Sequence, residues 1–139
     1  MATSVNRSLG STLVALLAIA QGVAGILRAA QWIQIGSDLA EQGVLLLPIV
    51  GAIAVTRGVI VGAIALLFGL FAWGTLAGRG WAWGMGLAAV IANGLAVLRL
   101  LLGGAPPPRV LVWAIVPLIL IVYLLSPAGR RAGSVGRER

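Results

Sequence analysis

At 139 residues the chain has room for one small bundle and for no separate soluble domain. Hydrophobic residues make up 60% and charged ones 9%, far below the ~25% of soluble proteins, and the net charge of +7 flanks apolar blocks, which points to a membrane and away from nucleic acid. The absence of Cys excludes disulfides, thiolate metal sites and covalently attached haem, and the absence of His removes the commonest general base and metal ligand, so no cofactor is expected.

All ten basic residues are arginine, and the acids are Asp38, Glu41 and Glu138. Residues 1–8 form a short polar start carrying Arg7. The first apolar block supports a transmembrane helix over residues 9–30, since about 20 residues at 1.5 Å each cross a ~30 Å hydrocarbon layer. Residues 13–20 also resemble a signal-peptide core, with Ala18-Ile19-Ala20 as a cleavage-like site. The apolar run continues through Leu27, which favours a retained helix.

Residues 31–56 are expected to form an interfacial or re-entrant segment. In 31–43, Trp32, Ile33, Ile35 and Leu39 mix with Gln31, Gln34, Asp38 and Glu41, as in a segment lying on lipid. Residues 44–56 are apolar, but too short to span unaided, and Pro48 lies inside them. A continuous helix from there to residue 77 would place Arg57 near its middle, a costly position in hydrocarbon.

Helix two is therefore expected over 57–77, a tight Gly78-Arg79-Gly80 turn follows, and helix three is expected over 81–102. Pro106, Pro107 and Pro108 suggest a stiff polyproline-like loop. Helix four is expected over 110–126, kinked by Pro117. Residues 127–139 form a basic tail, expected to be disordered beyond its first few positions.

Four spans put Arg7, Arg79 and the tail arginines on one side, against Glu138. Arg28, Arg57, Arg99 and Arg109 lie on the other, with Asp38 and Glu41. The more basic side is expected to be cytoplasmic, with both termini there. Trp73, Trp81, Trp83 and Tyr123 would mark the cytoplasmic level, and Trp32 and Trp113 the outer one.

Three groups of residues invite a role. Gln21 and Asn93 each lie some twelve positions from the cytoplasmic start of a parallel-running helix, so an interhelical amide pair at mid-membrane is expected; the alternative is a polar lining for a cavity. Gly22 and Gly25 on helix one, Gly58, Gly62 and Gly69 on helix two, and Gly86 on helix three sit on small-residue faces that let backbones approach, within one monomer or across a homodimer. Arg28, Arg57, Arg99 and Arg109 gather at the outer level. They either snorkel to headgroups, some paired with Asp38 or Glu41, or share a site for an anionic headgroup.

The stretches Arg57-Gly58, Gly62-Ala63-Ile64-Ala65-Leu66-Leu67-Phe68-Gly69 and Gly78-Arg79-Gly80-Trp81-Ala82-Trp83, with the later Pro106 to Pro108, resemble a broad set of small bacterial four-helix membrane proteins. There a Gly-rich second helix ends in a Gly-Arg-x-Trp-Ala turn. The resemblance implies a four-helix fold in a prokaryotic membrane and no particular activity. Residues 44–56 depart from it as an apolar insertion.

The expected fold is thus an all-α polytopic bundle of four transmembrane helices. Its expected role is structural or accessory, without catalysis. Membrane lipids are the expected partners, with a larger membrane protein or a second copy besides. The alternatives are a small transporter or a binder of lipid or apolar small molecules. Small multidrug exporters depend on an acid inside the first helix, and residues 9–30 contain none.

Overall fold

The computed structural model describes residues 9–42 and 46–127. The expectations for residues 1–8, and for the basic tail beyond residue 127, fall outside them. The described residues form four α-helices and no strand: α1 (Leu9–Glu41), α2 (Leu47–Leu76), α3 (Ala82–Leu102) and α4 (Pro107–Leu125). Each is long and apolar enough to cross a membrane. The chain is a multi-pass membrane protein by that measure.

Helix lengths differ sharply. At 1.5 Å per residue α1 and α2 run about 50 and 45 Å, while α3 and α4 run about 32 and 28 Å. The expected interfacial segment over 31–56 is therefore not formed. Residues 31–41 continue α1, and residues 47–56 begin α2. Asp38 and Glu41, expected in that segment, belong to the last turns of α1 and are exposed.

A seam of small residues explains the extension. Ala15, Gly22, Ala29 and Gly36, seven apart on α1, are all buried. So are Gly51, Gly58, Ala65 and Ala72, seven apart on α2. A seven-residue repeat keeps a seam on one face along its whole length. The seams meet antiparallel: Gly22 against Ala65, Gly58 against Ala29, Gly36 against Gly51. A Cβ on Gly36 would lie 2.7 Å from the Gly51 carbonyl oxygen, and one on Gly51 would lie 2.5 Å from that of Gly36. Only glycine permits so close an approach, and the dispersion contact it allows holds both helices together past residues 30 and 57. Pro48 does not interrupt α2, because it occupies the first turn, where its missing N–H has no helical acceptor.

α2 and α3 end alike. Gly78 (φ 65°) and Gly104 (φ 70°) adopt the left-handed conformation. Arg79 N–H then donates to Gly74 and Gly78 N–H to Thr75, while Ala105 N–H donates to Leu100 and Gly104 N–H to Leu101. These paired bonds satisfy carbonyls that a helix end leaves open. The expected proline loop is shorter than foreseen. Pro106 is extended as the N-cap, and Pro107 and Pro108 already lie in the first turn of α4.

α1 packs mainly on α2, α2 also on α3, α3 on α4, and α4 lightly on α1; α1 and α3 lie across a diagonal. All four helices share one core of Val14, Ala18, Phe68, Phe71, Ala72, Ala89, Val90, Leu120 and Leu124. That core lies toward the α2–α3 turn. Toward the other end only α1 and α2 remain.

Candidate functional site

The two ends of the bundle are marked by the same pairing of side chains. At the α2–α3 turn the Arg79 guanidinium sits over the Trp73 ring, 5.6 Å from its centroid, and Trp73 packs on Trp81 at 5.8 Å. At the other end the Arg57 guanidinium sits over the Trp32 ring at 5.7 Å. Arginine over an aromatic face gains from the ring quadrupole while its apolar stem stays against the helix. From Arg57 to Leu76 is about 29 Å of helix, close to a hydrocarbon thickness of ~30 Å.

A long α2 therefore has room for a full span that leaves Arg57 at its edge. Gly74 faces Ala82 and Gly86 faces Phe71, and the same register brings Arg57 level with Arg99. Both line one open groove of about 280 Å³, with Ile49, Ala52, Ile53, Thr56 and Ile60. Arg57 and Arg99 are exposed, and among the described residues neither forms an ion pair. Thr56 spends its hydroxyl proton on the Ala52 carbonyl at 2.8 Å. Arg28, half-buried on α1, and Arg109, exposed near the start of α4, do not line this groove. Of the four arginines expected at the outer level, then, two line one groove.

Gln21 and Asn93 are both buried, but no hydrogen bond joins them, because their helices face each other only across the diagonal. Asn93 instead donates from Nδ2 to the backbone carbonyl of Trp113 at 3.1 Å. That oxygen is the one left without its helical donor by Pro117, four residues on. Trp83 likewise donates from Nε1 to Leu124 O at 3.4 Å, at the open end of α4. α3 therefore supplies two side-chain donors to carbonyls that α4 cannot satisfy itself. The i−4 rule applied to Pro117 would have found the Asn93 partner; matching depth alone could not. Trp113, expected at the outer level, lies several residues inside α4, since that helix begins at Pro107.

Of the expected packing glycines, Gly22, Gly25 and Gly58 are buried in the α1–α2 seam and Gly62 sits beside it, its Cβ position 3.5 Å from Ala29 Cβ. Gly86 is closed over by Phe71, whose ring would lie 2.6 Å from an added Cβ. Gly69 differs. It is exposed and has no atom within 4 Å of where its Cβ would stand, because the buried stripe passes through Ala65, Phe68 and Ala72. Gly62 also floors a second open groove with Ile26, Ala29, Ile33, Val59 and Leu66, almost wholly apolar. Among the described residues no cluster of His, Cys, Asp or Glu could hold a metal ion.

No family model matches this chain, and neither a curated protein nor a solved structure does. The resemblance carried by Gly78-Arg79-Gly80-Trp81-Ala82 therefore stands on those residues alone.

Proposed function

We propose that this protein is a structural or accessory component of a membrane assembly, without catalysis of its own, resident in a bacterial inner membrane with both termini cytoplasmic. One observation carries the reading. In the register that brings Arg57 level with Arg99, the last residue of α3, Leu102, stands level with about Ala54, and from there α2 continues for about 10 Å to Leu47, paired with the end of α1. This arm carries Ile35, Leu46 and Val50, each about half exposed or more. Exposed apolar side chains outside the hydrocarbon layer favour coverage by another component. The two helices of the arm are joined along a glycine seam, as suits a fixed docking element. The cytoplasmic assignment rests on the arginine excess of that side.

The reading is tested by purification at native expression in mild detergent, with a photo-crosslinking residue at Val50 and, as control, at Leu118. A stoichiometric protein partner crosslinked from Val50 and not from Leu118 is the expected result. A lone monomer, with both positions labelled only by lipid, would overturn it and move the weight to transport or small-molecule binding.

A further inference from the structure

We propose that the groove between Arg57 of α2 and Arg99 of α3 binds the phosphate of an anionic phospholipid. Three observations converge. Two guanidinium groups from different helices line one open groove of about 280 Å³, and among the described residues no carboxylate pairs with either. Two arginines lining one groove suit a phosphodiester, whose oxygens accept paired N–H donors from guanidinium forks. The groove also stands at the right depth. Arg99 lies in the last turn of α3, and Arg57 lies about one hydrocarbon thickness from the opposite end of α2.

The third observation concerns the walls. Ile60 lies on the membrane side of the arginines, where the first methylenes of an acyl chain descend. Ile49, Ala52 and Ile53 lie on the other side, on the part of α2 that outruns α3. That upper wall gives the open groove a second apolar side. The Trp32 ring under Arg57 limits the orientations of that guanidinium, so less freedom is lost on binding. Water-soluble phosphate would find the same charges, but nothing for the apolar walls to hold. The source is therefore a lipid.

The test uses the full chain in detergent, offered equal amounts of phosphatidylglycerol and phosphatidylcholine, with retained lipid counted by native mass spectrometry. The wild type should keep one phosphatidylglycerol with about a tenfold preference, the scale of one charge-assisted hydrogen bond or more. Arg57→Gln/Arg99→Gln should erase that preference, and Arg109→Gln should keep it. Arg57→Lys retains the charge and should recover only part. Far-UV circular dichroism and a single elution peak establish that each variant is folded. Millimolar inorganic phosphate should not displace the lipid. Equal retention of both lipids by the wild type would overturn the proposal, as would an unchanged preference in the folded double variant. Displacement by free phosphate would overturn the lipid as the ligand.

Discussion

The tightest point of the α1–α2 seam offers a substitution whose sign reverses with position. In Gly51→Ala the new methyl would stand 2.5 Å from the Gly36 carbonyl oxygen and 3.3 Å from Ala40 N, both backbone atoms of α1. No rotamer relieves such a clash, so the helices must part locally by about 1 Å, and a gap of that size forfeits a quarter to a half of each affected dispersion contact. Overpacking of this kind costs ~1–3 kcal/mol, against a gain of ~1 kcal/mol for alanine over glycine within a helix. The expected net loss is up to about 2 kcal/mol. Gly69→Ala meets open space and keeps only the gain, so it should stabilise by ~0.5–1 kcal/mol. Both are measured by reversible unfolding in mixed micelles of mild detergent and dodecyl sulfate, followed by circular dichroism. Equal effects of the two substitutions, or a stabilised Gly51→Ala, would refute the seam as the force that extends the hairpin.

Asn93→Leu should cost about 1–2 kcal/mol in the same assay, by leaving the Trp113 carbonyl without a donor. In a Pro117→Ala background the cost should shrink, because residue 117 then supplies the N–H; additive losses would remove this account. Gln21→Leu and Asn93→Leu, by contrast, should be additive, and a coupling above ~0.5 kcal/mol would show a contact between them. Gly86→Ala should destabilise by ~1–3 kcal/mol, and Phe71→Leu should recover part of that, since the obstructing atoms belong to the Phe71 ring; an equal loss in both backgrounds would exclude that contact. Reporter tags at the two termini should label from the same side of the membrane, and opposite labelling would contradict four spans.

Much of the architecture was legible because hydrocarbon imposes so few solutions. Uncharged blocks bounded by Arg79, Arg99 and Arg109 placed α3 to within a residue and α4 nearly so. The length rule failed for α1 and α2. It limits what must be buried in lipid, but it does not say where a helix stops, and both continue because each has the other to pack on. The signal was present as the sevenfold spacing from Ala15 to Gly36 and from Gly51 to Ala72. Shorter steps of three and four drew attention to Gly62 and Gly69 instead. Arg57 was read as an obstacle because the middle of a helix was equated with the middle of the bilayer. The arginine groove could be foreseen as a common depth, but not which two of the four would share it, since that depends on helix neighbours. The Asn93 bond needed the same knowledge of adjacency.

The repetitive contact between the first two helices has a price in uniqueness. Small teeth at equal intervals have a rival alignment one heptad out of step, which mismatches of alanine for glycine oppose only in part, so the zipper does not select its alignment alone. That choice falls to the bulky exceptions, Phe68 and Phe71, each 1% exposed and wedged where all four rods converge. Whatever loosens those two rings leaves the pair attached with a weaker hold on its register.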